Sequence, residues 1–504
     1  MPISKAVASS VKTPGFYLLL NLLGAPSNPG TAALRTLIMA PKSSAGNITA
    51  NTEVRQCFGP NDVATALGAG TPGHLAAKRF FQRFGLGPLD VIAPTASAGA
   101  AATGTQTFTG PATENSTIRF RIHGRQIDVP WLNGEAATVF VTRAVATINQ
   151  FASDLFVTAS DATGGSILFT AKAAGPWGND VRLWAGIFEG GGGIAVTVNP
   201  ANCTGGTTEP TFATALATVS TREYARIIAC LSNADAADTS SSSNAERLGA
   251  HVTTYGSGNA ALLQVGVVGV TGSTANAKAG AIDRNNVAMQ YVLGRLWDDL
   301  PAELAGAEAG DALNLMTRER SNFNRIGNRH DLYGPRDVVT NKLSATEIED
   351  LLSNGVSPLD IDSLTGVPYL VAPITTHSTT SGAPDYRGYH LSDTDAMFAI
   401  FRDLRTATPQ EFANASISPD LPSGADPLPA GVVEVRDVKA FVISRLRSQV
   451  RAGVAQGPAL DASIANDELT VDIDESDASQ VNIFIPLSII KPLAKFGVVG
   501  AKVA

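Results

Sequence analysis

The residue types that could carry out catalysis are spread thinly along this chain, and their spacing matches no catalytic motif. Six histidines occur in 504 residues, and none of them lies in an H-E-x-x-H pattern. No serine lies in a G-x-S-x-G elbow, and no cysteine lies in a recognisable nucleophile motif. His377 and His390 flank one hairpin-like unit, and we interpret them as structural, the commoner role of lone histidines. The sequence therefore predicts no enzymatic activity, with no catalytic residue, no cofactor and no metal site.

A glycine run from Gly190 to Gly193 is the segment that could most easily approach a phosphate group. It lacks the lysine and the serine or threonine that complete a P-loop, and it follows no clear βαβ turn. We interpret the run as a flexible hairpin tip. A nucleotide-binding α/β enzyme that uses this loop remains the alternative from a different functional class.

Acidic side chains concentrate near the end of the chain, in a stretch that could suggest a calcium site. They are Asp472, Asp474, Glu475 and Asp477. Their spacing lacks the central glycine and the distal glutamate of an EF-hand loop. The solvated face of a hairpin is the better interpretation.

Composition limits the classes of partner. The net charge is -8 and the isoelectric point is about 5.4, which argues against general nucleic-acid binding because that function needs a basic surface. Cys57, Cys203 and Cys230 are widely spaced and odd in number, so the sequence predicts no disulfide framework and a reducing compartment. No apolar run reaches the roughly 20 residues of a membrane helix, and direct membrane insertion is not expected.

The elements that must position these side chains begin with an α/β pattern. Apolar runs and helical periodicity predict the order strand, helix, helix, strand in the first hundred residues. The four elements are predicted at Thr36–Ala40, Asn61–Leu67, His74–Phe84 and Leu89–Ala93.

From Pro94 onward the composition changes to alanine, glycine and threonine, and the following segments have strand character. Ile118–Ile122 and Arg125–Val129 are predicted to pair around His123 and Gly124. We therefore expect residues 96–210 to form an inserted β-rich domain.

The α/β pattern resumes after residue 210. Tyr224–Leu231 and Ala261–Val270 are predicted to be buried strands, and Asp283–Trp297 is predicted to be a helix. Residues 300–340 are predicted to be irregular.

Two later helices carry clear signals. Ser344 followed by Glu347 gives the pattern of a capping box at the start of a helix over Ala345–Leu352. From Glu434 to about Ala452, apolar residues recur on one stripe of a helix and arginines fall on a different stripe. The arginines are Arg436, Arg447 and Arg451. They form either a solvated helix face or a basic ridge that meets an acidic partner.

The end of the chain has the pattern of a hairpin followed by a third apolar run. Leu469–Asp474 and Val481–Ile490 have strand character, and the loop between them is polar. The third run is Phe496–Val503, and a strand there needs backbone partners from its own hairpin or from a neighbouring molecule. Another strand is predicted at Gly15–Leu20, within an extended N-terminal arm.

Several segments, taken in order, resemble the tail sheath proteins of contractile-tailed bacteriophages, in particular the branch typified by phage Mu. VKTPGFYLLL near the start is similar to the family's Pro-Gly-aromatic opening strand, and AKAAGPWGNDVRL to its Gly-x-x-Gly-Asn-Asp segment. Phe58–Ala93, Ile374–Arg405 and the strands from Gln480 onward resemble further units of the family. No single segment is specific, and the resemblance rests on their order and spacing over nearly the whole chain.

The resemblance implies a structural subunit that polymerises helically around an inner tail tube and contracts to drive the tube through the host envelope. The implied partners are further copies of this chain, the inner tail tube protein, and the baseplate and tail terminator proteins, with no nucleic acid. The implied location is the virion tail, after assembly in the host cytoplasm. The sheath of a related contractile injection or bacteriocin-like machine remains the alternative within the same class.

The resemblance also implies roles for individual residues. The strands expected to be donated to a neighbouring subunit contain Gly15, Phe16, Tyr17, Leu18, Leu19, Leu20, Phe496, Val498, Val499 and Val503. The hairpin expected to accept them contains Leu469, Val471, Ile473, Val481, Ile483 and Ile485. The arginine ridge, Arg436, Arg447 and Arg451, is expected to face the tube.

The expected fold class is α/β (α+β) and multidomain, with an α/β sheath core, an inserted β-rich domain and extended N- and C-terminal strand arms. The expected division is an N-terminal arm over residues 1–29, the first part of the core over 30–95, the outward-facing inserted domain over 96–210, the second part of the core over 211–430, and a tube-facing helix, hairpin and terminal arm over 431–504.

Overall fold

The structure, a computed structural model, confirms a mixed α/β fold with several sheets. It describes residues 34–85, 87–257, 261–318, 325–422, 428–486 and 488–489. The described helices are α1 Pro60–Leu67, α2 Pro72–Phe84, α3 Ala137–Asn149, α4 Ala213–Val219, α5 Asn233–Ala237, α6 Asn244–Tyr255, α7 Thr274–Arg284, α8 Pro301–Arg318, α9 Val338–Asn341, α10 Ala345–Ser353, α11 Leu391–Glu411, α12 Val435–Arg451 and α13 Gly457–Ala465. Among these described helices, none is both long and apolar enough to cross a membrane.

The strands are short and come from almost the whole described length. They are β1 Thr36–Met39, β2 Arg55–Cys57, β3 Leu89–Ile92, β4 Thr103–Thr109, β5 Ser116–Ile122, β6 Arg125–Trp131, β7 Val157–Ala162, β8 Ser166–Ala171, β9 Leu183–Glu189, β10 Ala195–Thr204, β11 Arg226–Ala229, β12 Val265–Val270, β13 Met289–Leu293, β14 Val356–Ile361, β15 Pro368–Leu370, β16 Thr379–Thr380, β17 Ala383–Pro384, β18 Ser416–Ser418, β19 Val432–Glu434, β20 Thr470–Ile473 and β21 Val481–Phe484.

An eight-stranded sheet forms the centre of the molecule, in the order β15-β14-β13-β12-β11-β1-β3-β2. The six inner strands run parallel, and β2 and β15 are antiparallel edge strands. Every residue of the inner strands is buried. Burial of all positions is typical of a parallel sheet covered on both faces. The strands are mostly apolar, and the polar side chains within them, such as Asp90, Arg226 and Gln290, are buried as well.

The predicted helix over Asp283–Trp297 is wrong. Helix α7 ends at Arg284, Asn285 takes a left-handed conformation with φ 37°, and Met289–Leu293 forms the buried strand β13. A five-residue apolar run has too little length for periodicity to distinguish a strand from a buried helix. Tertiary pairing with β12 and β14 decides the outcome.

The predicted irregular stretch is also wrong for its first part, because α8 covers 18 residues. Its sequence is rich in alanine and contains Gly306 and Gly310, which lower intrinsic helix propensity. Both glycines lie against the backbone of α2, at Ala76 and Phe80, where an added Cβ would clash. Close packing of α8 on α2 therefore stabilises a helix that its own sequence signals only weakly.

Other local predictions are confirmed. Ser344 and Glu347 form a complete capping box at the start of α10. The hairpin of β5 and β6 turns at His123 and Gly124, which both have positive φ as a two-residue hairpin loop requires. Ile374 and His390 form one isolated bridge, and α11 begins at the next residue, Leu391.

Two further sheets come from residues 103–204, with strand orders β10-β4-β8-β7 and β6-β5-β9. Aromatic side chains fill the space between these sheets and α3. Phe108 lies at the centre, with ring centroids 5.7 Å from Phe120 and 5.1 Å from Phe140. Trp131 stacks on Phe140 at 4.3 Å. These aromatic residues belong to the same hydrophobic core as the central sheet, so the core is continuous between the two parts.

A second hydrophobic core lies in the C-terminal part of the chain. Its buried residues come from α11, α12, α13 and the β20–β21 hairpin. They are Ile400, Leu404, Val438, Val442, Leu446, Leu460, Leu469 and Val471. Helix α11 joins this second core to the main one, because its earlier residues Met397 and Phe398 pack in the main core.

Candidate assembly interface

The predicted acceptor hairpin is present as the β20–β21 pair. The two strands run antiparallel, with Val471 opposite Ile483 and Ile473 opposite Val481. Within the described part of the chain, each strand has the other as its only partner. An isolated two-stranded hairpin is marginally stable in water, so it needs packing or additional strands.

Burial of the hairpin is uneven. Leu469 is fully buried and Val471 nearly so, and both pack in the second core. The remaining predicted acceptor residues are only half-buried. They are Ile473, Val481, Ile483 and Ile485. The hairpin is thus anchored through its first strand, and its second strand keeps apolar surface available.

The predicted donor strands lie outside the described residues. This applies to the N-terminal residues Gly15, Phe16, Tyr17, Leu18, Leu19 and Leu20 and to the C-terminal residues Phe496, Val498, Val499 and Val503. The last described residues lead away from the hairpin, since Ile489 forms a bridge with Ala455. Their role as donors stays a prediction.

The acidic residues of the hairpin serve the turn and do not all face solvent. Asp474 is buried, and its carboxylate accepts hydrogen bonds from the backbone N–H of Ser476 at 2.8 Å and from the Asn482 amide at 3.0 Å. Asp472 and Glu475 are exposed. Among the residues that the structure describes, no group of three or more acidic, histidine or cysteine side chains could hold a metal ion.

Helix α12 carries the arginine ridge on its solvent side. Arg436 and Arg447 are separated by three turns, and their side chains are 62% and 58% exposed. Arg451 follows one turn later and is also exposed. The opposite face buries Val442 and Leu446 in the second core. The ridge therefore lies on a rigidly anchored helix.

Two of the ridge arginines pair with carboxylates of the same chain. Arg447 lies 3.6 Å from the carboxylate of Asp461, and Arg436 contacts that of Glu434. Exposed ion pairs contribute little to stability because solvent and salt screen them. The guanidinium of Arg447 can therefore exchange its exposed contact for an external acidic partner, whereas Arg436 pairs with the buried carboxylate of Glu434.

The glycine run does not form a phosphate cradle. The backbone N–H of Gly191 donates to the hydroxyl of Ser116 at 2.9 Å, and that of Gly192 donates to the carboxylate of Glu114 at 2.8 Å. A phosphate would have to displace the carboxylate of Glu114, which already accepts a hydrogen bond from the loop. The run connects β9 and β10, which belong to different sheets and do not pair with each other, so the predicted hairpin tip is wrong.

The crevice where open α/β sheets bind ligands is also filled. Ligands bind at the carboxyl ends of strands where the strand order reverses, which here lies between β1 and β11. Trp177 lies buried at this point and donates from its indole N–H to the carbonyl of Cys230 at 2.8 Å. Asp180 accepts from the backbone and side-chain N–H groups of Asn233, both at 2.9 Å. The Gly-x-x-Gly-Asn-Asp segment thus occupies the usual nucleotide position.

The histidines fit structural roles. Burial lowers the pKa of His74 and of His251 to about 4, so neither is a proton donor near neutral pH. His377 lies 3.4 Å from the carboxylate of Asp385, and His390 packs against the ring of Tyr389.

Sequence reasoning missed the part that Trp177 and Asp180 play in the crevice. Both residues belong to the Gly-x-x-Gly-Asn-Asp segment, so the resemblance was the signal that drew attention to them. Their contacts with Cys230 and Asn233 depend on the order of strands in the sheet. Local sequence patterns therefore could not assign this role.

Comparison with protein-family models and with curated proteins found no match. Among solved structures, the sheath tail protein of Listeria innocua has 14% identity and a TM-score of 0.42, covering 90% of this chain and 88% of that one. The sheath tail protein of Desulfitobacterium hafniense has 12% identity and a TM-score of 0.45, covering 96% and 100%. The helical sheath of the anti-feeding prophage in its contracted state has 10% identity and a TM-score of 0.43, covering 98% and 99%. Similarity at this level leaves function to be argued from the chain's own residues.

Proposed function

We propose that this chain is a structural subunit of a contractile phage tail sheath, which polymerises helically around an inner tail tube and contracts to drive the tube through the host envelope. Within this class we assign it to the Mu-like branch. The proposed partners are further copies of the chain, the inner tube protein, and the baseplate and tail terminator proteins. The proposed location is the virion tail, after assembly in the host cytoplasm.

The observation that carries the proposal is the β20–β21 hairpin. It is anchored through Leu469 and Val471, while Val481 and Ile483 on the second strand remain half-buried. Within the described residues, no third strand pairs with it. Strand addition at such an edge would satisfy backbone groups and cover apolar side chains in one step. Contacts of this head-to-tail kind generate filaments when they do not close.

The sequence supplies segments suited to fill this edge. Gly15–Leu20 and Phe496–Val503 are apolar and have strand character. Because both segments belong to the same polypeptide as the hairpin, identical copies can each donate and accept. We propose that these exchanges join neighbouring subunits into a continuous mesh.

The exposed ridge of Arg436, Arg447 and Arg451 is proposed to face the inner tube. Its placement opposite the buried face of α12 supports this, because a rigid helix can present fixed charges to a partner. The segment over residues 96–210 is proposed to be a domain that projects outward. A nucleotide-binding enzyme is the less favoured function, since Glu114 and Trp177 occupy the two places where a phosphate or nucleotide would bind.

The test is a chain that ends at Ile490. We expect this truncated chain to fold, because it retains every residue of the two described hydrophobic cores, and to form no tubes in negative-stain electron microscopy. The matched control keeps the full length with Val498→Ile and Val499→Ile, which retain strand propensity, and should assemble like the parent chain. Long tubes from the truncated chain would show that strand exchange through this segment is not the mode of assembly.

A sheath of a contractile injection or bacteriocin-like machine would have the same subunit chemistry. The genes that surround this one discriminate between them. Capsid and packaging genes indicate a phage tail, and toxin-cargo genes without a capsid indicate an injection machine.

A further inference from the structure

Three arginines converge on one buried carboxylate at the contact between residues 103–204 and the eight-stranded core. Arg121 lies in β5, Arg182 directly precedes β9, and Arg336 lies in the loop before α9. The carboxylate belongs to Asp298, which follows β13 and is 1% exposed. The cluster therefore carries three positive charges against one negative charge.

The ion pairs within this cluster are long. Arg336 Nη2 lies 3.6 Å from one oxygen of Asp298, and Arg121 Nη2 lies 3.9 Å from the other. Charge-assisted hydrogen bonds between nitrogen and oxygen are normally about 2.7–2.9 Å long. Both oxygens of Asp298 and the Nε atoms of Arg121 and Arg336 are buried without a hydrogen bond. Among the residues the structure describes, no acceptor or ion pair is found for the guanidinium of Arg182.

The environment makes this excess charge costly. Burial lowers the pKa of both Arg182 and Arg336, and each is lowered further by a neighbouring arginine. The next carboxylate is Asp180, whose pKa burial raises to about 7, so it offsets the charge only in part near neutral pH. A bound anion would remove the repulsion and supply the missing acceptors.

The cluster is reachable from solvent. The side chains of Arg121 and Arg336 are 24% and 32% exposed, and Arg336 lies over the ring of Trp184 with its guanidinium carbon 5.9 Å from the ring centroid. Planar guanidinium groups recognise oxyanions through two parallel hydrogen bonds. We propose that Arg121, Arg182 and Arg336 form an oxyanion-binding site, filled either by phosphate from solution or by a carboxylate of a second copy of this chain.

Isothermal titration of the full-length chain with inorganic phosphate, at constant ionic strength in chloride, tests the first source. We expect saturable binding of one phosphate per chain, with the dissociation constant raised at least about ten-fold in Arg336→Gln, as expected for loss of one charge-assisted contact. Arg182→Gln should raise the dissociation constant for phosphate in the same way. Arg329→Gln is the matched control, because Arg329 is exposed and pairs with Asp362 outside the cluster.

A second arm tests the carboxylate source. If the parent chain takes up no phosphate, we expect Arg336→Gln to weaken association between copies in sedimentation velocity at least about ten-fold, while Arg329→Gln leaves it unchanged. Thermal melting followed by circular dichroism checks that each variant is folded. If Arg182→Gln is unfolded, the test of the site depends on Arg336→Gln alone. Phosphate binding and self-association that are both the same in the parent chain and in Arg336→Gln would overturn the site. The phosphate arm is measured on the chain in solution, so its outcome is independent of the proposed sheath role.

Discussion

At the scale of single residues, buried carboxyl groups beside the filled crevice are the most unusual feature. Glu209 accepts from the hydroxyl of Ser232 at 2.8 Å through one oxygen, and its other oxygen is buried without a hydrogen bond. Burial, reinforced by the nearby Asp235, raises the pKa of Glu209 to about 8. The folded chain therefore holds a proton at neutral pH that the unfolded chain releases.

This proton gives a pH dependence with a definite sign. Because the pKa of Glu209 rises from its ordinary value of 4.5 to about 8 in the folded chain, the folded state binds more protons between these values, and stability falls as pH rises through this window. The slope per group is at most about 1.4 kcal/mol per pH unit, and it is smaller here because Glu209 is partly exposed. Urea unfolding of Glu209→Gln between about pH 5 and pH 8 should show a reduced slope.

The matched control is Glu475→Gln, at an exposed position of the hairpin turn. It should keep the pH profile of the parent chain. A slope for Glu209→Gln equal to that of the parent chain would contradict a proton held at this position.

At the scale of elements, α12 determines the stability of the C-terminal part. It buries Val442 and Leu446 completely against α11 and the hairpin, and Arg445 pairs with Asp403 of α11. The hairpin has no other cover within the described residues than this second core. Its position therefore depends on the packing of this core, to which α12 contributes Val438, Val442 and Leu446.

Leu446→Ala should destabilise this region by about 2–5 kcal/mol, the usual cost of a large-to-alanine change in a core. The second core is a distinct cluster that joins the main one only through α11 among the described residues, so we expect the loss to be mainly local. Hydrogen exchange should show reduced protection in α12, β20 and β21, and unchanged protection in β11 to β13. The neighbouring exposed Arg447→Ala is the control and should change stability by less than about 0.5 kcal/mol. An equal loss of protection in the central sheet would contradict the separation of the two cores.

At the scale of the whole molecule, the segment over residues 103–204 is fastened to the core at several points. Trp177 and Asp180 hold it at the carboxyl edge of the sheet. Lys78 of α2 pairs with Asp154, and Lys172 donates to the carbonyl of Ala69 at 2.9 Å. These contacts come from different elements and surround one junction. The segment is therefore expected to move with the core as one body.

Trp177→Ala tests this attachment. It removes a buried ring and its hydrogen bond, and we expect it to cost about 3–5 kcal/mol in urea unfolding. Limited proteolysis should then cut the links near residues 94–102 and 205–211 faster than in the parent chain. Trp177→Phe keeps most of the ring volume, so its free energy of unfolding should fall by a smaller amount. Unchanged cleavage rates in Trp177→Ala would show that the other contacts suffice.

Sequence patterns over a few residues predicted caps and hairpins correctly. They failed where packing against distant residues determines whether a segment is a helix or a strand. The capping box of Ser344 and Glu347 and the β5–β6 hairpin depend on neighbours in sequence, so both were predictable. Strand β13 was missed because a short apolar run fits two structures, and α8 because small residues hide its periodicity. The C-terminal hairpin was predictable from the alternation of apolar and polar residues, whereas its uneven burial depends on packing against α12.

By itself, the sequence determined the α/β class, the position of the C-terminal hairpin and the arginine stripe, because periodicity and capping depend on residues a few positions apart. The absence of a catalytic motif was also a property of the sequence. Only the tertiary structure decided that Trp177 fills the crevice between β1 and β11 and that Glu114 occupies the glycine loop. It also decided that Arg121 and Arg336 meet at Asp298, with Arg182 close enough to interact electrostatically. The physical reason is that these contacts join residues far apart in the chain, and only the folded arrangement of sheets fixes which of them meet.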